Sequence, residues 1–237
     1  MKKKLLAAFL CVAMVSSMVI GCGSNSNDGA ASGSGEDSTT EESGDALNIA
    51  IVSSPNGVDD GSFNEDNYNG VLAFIEEHPD AKVTPIREET GVPATVVERI
   101  TEIAGSYDVV VCLGYQCAGI GTVAQDNPDV DFILVDSYPT DAEGNTVELD
   151  NVYAMLFAEQ ESGFFAGMAA ALETTTNKVA VVNGQPFPSN VNYQYGFEAG
   201  VNYANAKLGT SAECVELASY AGTYNDENIG GNYTGNF

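Results

Sequence analysis

The amino-acid sequence predicts an α/β fold built on parallel β-sheets. From residue 46 onwards, short apolar runs rich in Val, Ile and Leu alternate with longer segments that have helical periodicity. Strands that alternate with helices in this way are typical of parallel sheets joined by right-handed crossovers. A polar loop, Ser137 to Asp150, divides the alternation into two parts, which favours two lobes.

The apolar runs are predicted to be strands, because runs without polar alternation suit strands that are buried on both faces. The predicted strands are Leu47–Val52, Lys82–Ile86, Asp108–Leu113, Asp131–Val135, Asn151–Phe157, Lys178–Asn183 and Glu213–Ala218. The predicted helices are Ser62–Glu77, Pro93–Ala104, Ala118–Asp126, Glu161–Glu173 and Val191–Leu208.

We expect the first four strands to form one sheet and the strand Asn151–Phe157 to start a second one. The predicted domains are a first α/β lobe over 46–150 and, over 151–237, a hinge crossing with the start of a second α/β lobe. Two doubly wound parallel-sheet lobes with a cleft between them form the type I periplasmic-binding-protein fold. In that fold the chain completes the second sheet, whereas this sequence ends before the predicted second sheet is complete. We therefore expect an incomplete second lobe and a chain truncated at its carboxyl end.

The amino-terminal residues predict a lipoprotein leader and a tether. A lysine triplet at 2–4 precedes the apolar run Leu5–Ile20, which indicates a secretory signal peptide over 1–21. The following Val-Ile-Gly-Cys stretch resembles a bacterial lipobox and makes Cys22 the predicted lipidation site, with a free or disulfide-bonded cysteine as the alternative. Residues 22–45 are Ser-, Gly- and acid-rich, which predicts a disordered tether.

Acidic residues dominate the charge of the chain, with 34 Asp and Glu against 8 Lys and Arg and a net charge of −26 at pH 7. This charge argues against nucleic acid as a partner and against electrostatic docking on anionic lipid. Attachment is therefore expected through acyl chains on Cys22, at the outer face of the cytoplasmic membrane. The spacing of the five cysteines does not argue for a disulfide framework.

The stretch Asp59–Asn64 lies where the first strand passes to the first helix, at the strand end where ligands bind in open parallel sheets. Ser62 can cap the helix, with Glu65 as the capping-box partner. Capping does not account for Phe63 followed by Asn64. An aromatic face beside a side-chain amide suits a flat, polar, ring-bearing ligand, because the ring stacks and the amide reads hydroxyls or ring nitrogens.

Two further strand ends carry candidate binding residues. The third predicted strand ends in Leu-Gly-Tyr-Gln, in which Tyr115 can face the cleft. The fourth ends at Asp136, whose carboxylate can accept hydrogen bonds from two vicinal hydroxyls. A turn-forming aspartate that only shapes the strand end is the alternative for Asp136.

Several stretches together resemble the basic membrane protein family of lipoproteins. They are Asp-Asp-Gly-Ser-Phe-Asn at 59–64 with Tyr-Asn-Gly at 68–70, the strand that ends in Asp136, the helix start at 159–167, and Gly184, Pro188 and Tyr193 with the Gly-Phe-x-Ala-Gly stretch at 196–200. The family consists of substrate-binding proteins of ABC importers, and its characterised members bind purine nucleosides.

The resemblance implies roles for particular residues. Asp136 would contact the ribose, and Tyr193 would close on the base from the side opposite Phe63. Gly184 matches a glycine that relatives keep. Ser54 stands where many relatives have an aspartate that can contact the base, which puts the purine preference in doubt or moves that contact elsewhere.

An enzyme is not expected, because His78 is the only histidine and the chain has neither a Gly-x-Ser-x-Gly motif nor a P-loop. The predicted protein is a monomeric, lipid-anchored receptor that works with a membrane permease and needs no metal or cofactor. A receptor for a sugar or another small ribose-like ligand is one alternative. An enzyme resembling nucleoside hydrolases is the alternative from another class.

Overall fold

Parallel strands form the main sheet of the computed structural model, which describes residues 46–215, 219–224 and 226–234. The strands are β1 (Asn48–Ser53), β2 (Lys82–Arg87), β3 (Val109–Leu113), β4 (Asp131–Val135) and β5 (Val152–Met155). They lie side by side in the order β2-β1-β3-β4-β5. The predicted signal peptide, the lipidation site Cys22 and the predicted tether lie outside the described residues.

The helices begin and end close to the predicted positions, apart from one extra helix near the end of the described chain. They are α1 (Phe63–Glu77), α2 (Pro93–Ala104), α3 (Gly121–Asp126, which follows a 3₁₀-helix at Tyr115–Ile120), α4 (Glu159–Glu173), α5 (Pro188–Lys207) and α6 (Glu227–Thr234). Within the described part of the chain, no helix has the length and apolar character that a membrane span needs.

Both faces of the main sheet are covered, which confirms the predicted α/β architecture. On one face, strand residues such as Ala50 and Phe132 pack with Val96 and Ile100 of α2. On the other face, alternate strand residues such as Ile51 pack with the first turns of α1. Because successive side chains of a strand point to opposite faces, strands buried in this way need the continuous apolar runs seen in the sequence.

Strand β5 is the one strand that the sequence analysis assigned to the wrong sheet. It pairs in parallel with β4, from Phe132 opposite Val152 to Val135 opposite Met155, and does not start a second sheet. Asn151 accounts for this position, because its side-chain Nδ2 lies within hydrogen-bond distance of the carbonyl oxygens of Ala124 (3.0 Å), Asn127 (3.1 Å) and Val130 (2.9 Å), with one of its two hydrogens shared between two of them. The division into lobes near residue 150 stays a prediction.

A second, smaller sheet follows. Its strands β6 (Lys178–Val179) and β7 (Glu213–Cys214) pair in parallel. Strand β6 is shorter than predicted, and residues 216–218 of the strand predicted over Glu213–Ala218 lie outside the described residues. Backbone hydrogen bonds continue beyond the strands, from Val215 N–H to the Val179 carbonyl (2.8 Å) and from Ala221 N–H to the Asn183 carbonyl (2.9 Å). The chain segment that follows Asn183 is therefore held beside the segment that follows Ala221.

Helices α4 and α5 pack against each other at backbone contact through paired glycines. A Cβ atom on Gly163 or Gly167 would fall against the carbonyl oxygens of Tyr193 and Phe197 in the facing helix. Gly196 and Gly200 of α5 face α4 in the same way, against the carbonyl oxygens of its residues 160 and 164. A spacing of four residues places each pair on one helix face, and only glycine leaves room for so close an approach.

This packing gives a stability prediction for Gly167→Ala. The added methyl group has to push the two helix backbones apart, and overpacking of this kind costs about 1–3 kcal/mol of unfolding free energy. The matched control is Gly70→Ala in α1, where nothing lies within 4 Å of the new Cβ atom. Alanine there should stabilise the helix by about 0.5–1 kcal/mol. Urea unfolding of both variants measures the difference, and equal midpoints would contradict the close packing.

Candidate ligand-binding site

A cavity of about 830 Å³ opens at the carboxyl ends of β1, β2, β3 and β4. From β1 the chain continues to β2 on one side of the sheet, whereas from β3 it continues to β4 on the other side. Open parallel sheets bind ligands where the strand order reverses in this way. The residues that line the cavity are Ser54, Pro55, Asn56, Asp60, Ser62, Phe63, Asn64, Glu89, Thr90, Gly91, Gly114, Tyr115, Gln116, Asp136, Gln185, Phe187, Ser189, Asn190, Tyr193, Gly222, Thr223 and Tyr224.

Asp60 organises the loop that connects β1 to α1. One carboxylate oxygen accepts hydrogen bonds from the backbone N–H groups of Ser62 and Glu65, both at 3.0 Å. The other accepts from the backbone N–H of Asn64 at 3.4 Å and from its side-chain amide at 2.7 Å. Asp60 therefore satisfies N–H groups of the first helical turn that have no partner inside the helix.

The capping predicted for Ser62 is not what the structure shows. Ser62 is the residue before α1, but its side chain makes no capping hydrogen bond. Glu65 accepts a hydrogen bond from the backbone N–H of Gly61 at 2.7 Å, and not from Ser62 as in a capping box. The carboxylate of Asp60 already bonds the N–H groups of Ser62 and Glu65, which leaves the serine hydroxyl without that role.

Asn64 is buried and its amide is used within the protein. Its Nδ2 atom donates to Ser54 Oγ (2.9 Å) and to Asp60, while its Oδ1 atom accepts from the backbone N–H of Ser54 (3.3 Å). These hydrogen bonds tie the end of β1 to the start of α1. Asn64 also lines the cavity, and its predicted role in reading the ligand stays a prediction. Phe63, next to Asn64 on α1, lines the cavity from this fixed position.

Asp136 follows β4 directly and lines the cavity, in a left-handed backbone conformation with φ of 62°. Its N–H donates to the Met155 carbonyl at 2.8 Å, which fixes the backbone. Among the described residues, its carboxylate has no hydrogen-bond or ion-pair partner. Burial, and then the negative charge of the buried Glu159, raise the pKa of the Asp136 carboxyl above its usual value.

Five aromatic residues of the described chain line the cavity. Phe63, Tyr115 and Tyr193 are among the predicted site residues, whereas Phe187 and Tyr224 were not expected there. The ring of Phe187 lies 5.3 Å from that of Tyr115 and 6.4 Å from that of Tyr224, measured between centroids. The cavity therefore offers flat apolar faces on residues from the β3 end, the start of α5 and the loop before α6.

Gly184 is the one predicted binding residue that does not line the cavity. A Cβ atom on Gly184 would collide with the ring of Tyr224, so the glycine makes room for that ring. The hydroxyl oxygen of Tyr224 accepts a hydrogen bond from Asn190 Nδ2, and burial raises the pKa of the Tyr224 phenol. Gly184 thus influences the shape of the cavity indirectly, because it leaves room for the Tyr224 ring, which lines the cavity.

Carboxylates are the charged groups that line the cavity. Asp60, Glu89 and Asp136 are among its lining residues, and the described lining contains neither Lys nor Arg. Glu89 is paired with Arg87 at 3.6 Å, and both side chains are exposed. No group of His, Cys, Asp and Glu within the described ranges has an arrangement that could hold a metal ion.

Sequence reasoning also missed the buried carboxylate of Glu88, which shapes another part of the cavity wall. It accepts hydrogen bonds from the N–H groups of Thr90 (3.0 Å) and Gly91 (2.5 Å) and from the Thr90 hydroxyl (2.8 Å). Thr90 and Gly91 both line the cavity. An acidic pair before a Thr-Gly turn was the available signal in the sequence.

A family model described as ABC transporter substrate-binding protein PnrA-like, named Bmp, matches residues 47–234. This chain belongs to the Bmp family. The match confirms the predicted family of substrate-binding proteins, in place of an enzyme family. It also places Phe63, Asp136 and Tyr193 inside the matched region.

Relatives and solved structures agree with this assignment. The Listeria innocua protein named CD4+ T-cell-stimulating antigen is 29% identical over 210 residues, which are 86% of this chain and 55% of that protein. The Lactococcus lactis ABC transporter nucleoside-binding protein BmpA is 27% identical over 235 residues, which are 95% of this chain and 59% of that protein.

Among solved structures, an ABC transporter solute-binding protein from Aeropyrum pernix K1 has a TM-score of 0.67 at 25% identity. The likeness covers 78% of this Bmp chain and 50% of that chain, and it confirms the predicted fold class. The Bmp chain thus spans little more than half the length of the relatives that it matches.

Asp60→Ala should lower the unfolding free energy by about 1–2 kcal/mol, as the loss of a helix cap does. Burial acts to raise the pKa of Asp60, but the hydrogen bonds from residues 62, 64 and 65 hold it below its usual value. The stabilisation is therefore complete at pH values above the ordinary Asp pKa and disappears as the pH falls through the lowered one. Urea unfolding between neutral pH and pH 3 measures it.

The control for this prediction is Asp59→Ala, at the exposed neighbouring position. It should leave the unfolding free energy within about 0.5 kcal/mol of wild type, as most surface substitutions do. A loss at Asp59 as large as the loss at Asp60 would contradict the capping role.

Asp136→Asn should raise the thermal unfolding temperature at neutral pH. The raised pKa means that the charged carboxyl destabilises the folded chain, and asparagine removes the charge while it tolerates a positive φ. The gain should shrink as the pH falls through the raised pKa towards the ordinary value, because the wild-type carboxyl then becomes protonated. A variant that is less stable than wild type at neutral pH would contradict the assigned environment of Asp136.

Proposed function

We propose that this Bmp protein captures a nucleoside, with a purine preferred, in the cavity beside its main sheet, and delivers it to an ABC permease. The observation that carries the proposal is the combination within one cavity of a carboxylate, Asp136, that has no hydrogen-bond partner among the described residues, and aromatic faces that include Phe63 and Tyr193. Membership of a substrate-binding family supports it, and the Lactococcus lactis relative is named as a nucleoside-binding protein.

The carboxylate of Asp136 suits the sugar of a nucleoside. It has lone pairs to accept hydrogen bonds, and its described protein neighbours donate none to it. Two vicinal hydroxyl groups of a ribose would supply two donors at once. Hydrogen bonds to a charged acceptor are stronger than bonds between neutral groups, so such donors would offset the cost of burying the carboxylate.

The aromatic faces suit the base. A flat heterocycle gains affinity by stacking on aromatic rings, and this contact tolerates different bases because each has a π face. Phe63 reaches the cavity from the start of α1, whereas Tyr193 reaches it from the first turns of α5. Stacking by these two residues on one base would join the two parts of the chain around the ligand.

The anchoring of the protein is part of the proposal. Acylation of Cys22 would hold it at the outer face of the cytoplasmic membrane, as a monomer beside its permease. The sequence up to Cys22 supports this, because a lysine triplet, an apolar run and a lipobox-like stretch follow one another. A single acyl chain binds membranes only marginally, so stable anchoring needs two or more chains.

Asp136→Asn should weaken the binding of ribonucleosides by about 1.5–3 kcal/mol, since the charge-assisted hydrogen bonds to the sugar hydroxyls are lost. Dideoxynucleosides lack those hydroxyls, so their binding free energy should change much less. Calorimetric titration of wild type and variant with adenosine and with dideoxyadenosine gives the comparison. Equal losses for the two ligands would show that Asp136 does not read the ribose and only shapes the strand end.

Cys22→Ala should release the protein from the membrane fraction, because the variant has no sulfur to acylate. Fractionation and immunoblotting of cells that express wild type and variant provide the measurement. Cys214→Ala is the matched control and should stay in the membrane fraction, since residue 214 lies far along the chain in β7. Retention of the Cys22 variant at the wild-type level would contradict the lipid anchor.

A further inference from the structure

Phe187 stands at the centre of a row of three aromatic rings inside the cavity. Its ring centroid lies 5.3 Å from that of Tyr115 and 6.4 Å from that of Tyr224, and the interplanar angle is 37° in both pairs. All three residues line the cavity. Tyr115 comes from the end of β3, so the row begins at the main sheet and continues to the segment before α6.

The backbone around Phe187 is unusually restricted. Pro186 precedes it and Pro188, the first residue of α5, follows it. Proline disfavours the helical region for the residue before it, and Phe187 has the expected extended backbone, with φ of −71° and ψ of 150°. The ring is therefore carried by a segment that loses little conformational freedom when a ligand binds.

Hydrogen bonds fix this segment to the loop that carries Tyr224. Gln185 Nε2 donates to the Gly222 carbonyl at 2.6 Å. Asn190 Nδ2 donates to the Gln185 carbonyl at 2.8 Å and also to the hydroxyl oxygen of Tyr224. The positions of Phe187 and Tyr224 therefore depend on each other, and the two rings form one surface.

We propose that Phe187 is a ligand-contacting residue that determines specificity, as the central ring of an aromatic wall formed by Tyr115, Phe187 and Tyr224. This inference rests on the proposed function. The wall contacts the face of the base that Phe63 does not cover, on the same side as Tyr193, and the contact grows with the area of the base. A purine covers more of the row than a pyrimidine, so Phe187 favours purine over pyrimidine nucleosides.

The test is calorimetric titration of the full chain with adenosine and with uridine, for wild type, Phe187→Leu and Phe187→Tyr. In Phe187→Leu, adenosine affinity should fall about tenfold or more and uridine affinity should fall less, because stacking area is lost mainly for the larger base. Phe187→Tyr keeps the ring and should retain the wild-type ratio of the two affinities. Phe165→Leu is the control, since that ring is exposed and does not line the cavity.

The outcomes separate this inference from the function on which it rests. Wild type that binds neither nucleoside overturns the proposed function and this inference with it. Wild type that binds adenosine, with an unchanged adenosine-to-uridine ratio in Phe187→Leu, overturns the role of Phe187 alone. A ratio that changes equally in Phe187→Tyr and Phe187→Leu also overturns it, because a retained ring should retain the preference.

Discussion

The reversal of strand order between β1 and β3 is the constraint on which the candidate site depends. Neighbouring parallel strands end at the same edge of the sheet, and the connections from β1 and β3 leave in opposite directions. The loops that follow these strands therefore diverge and leave an open cavity between them. Asp60 then gives the first loop a fixed shape through its hydrogen bonds to the first turn of α1. Phe63, at the start of α1, and Asp136, at the end of β4, both line this cavity.

A second set of constraints positions the aromatic residues of the other wall. Glycines at the α4–α5 contact allow the two helices to approach at backbone distance, which sets the position of Tyr193 in the first turns of α5. Gly184 gives the ring of Tyr224 its place, and the prolines around Phe187 restrict the backbone that carries that ring. Glycines and prolines that do not themselves contact the ligand thus determine the positions of the aromatic rings.

The sequence predicted the residues whose positions follow from the ends of strands. Asp136, Tyr115 and Phe63 could be placed at one edge of the sheet, because apolar runs mark where β4, β3 and β1 end. Phe187 and Tyr224 were not placed there, since their positions depend on hydrogen bonds between segments that are distant in sequence.

Contacts that a local sequence pattern does not reveal also explain where the sequence predictions were wrong. The assignment of β5 failed because the amide of Asn151 bonds carbonyl groups 21 to 27 residues earlier in the chain. The cap predicted for Ser62 is not formed because the carboxylate of Asp60 already accepts a hydrogen bond from the N–H group of Glu65, and local sequence patterns do not rank such competitors. Fold class depends on periodicity along the chain, whereas these contacts depend on its three-dimensional path.

We propose that the cavity takes an uncharged nucleoside through aromatic faces and through the Asp136 carboxylate, which has no hydrogen-bond partner in the described part of the chain. The decisive test of this claim is calorimetric titration of the chain with adenosine and with adenosine 5′-monophosphate. Because three carboxylates and no described Lys or Arg line the cavity, the nucleoside should bind and its monophosphate should bind about tenfold more weakly or worse. Added salt should narrow the difference by screening the charges. Equal affinity for the two ligands, or tighter binding of the monophosphate, would contradict the claim.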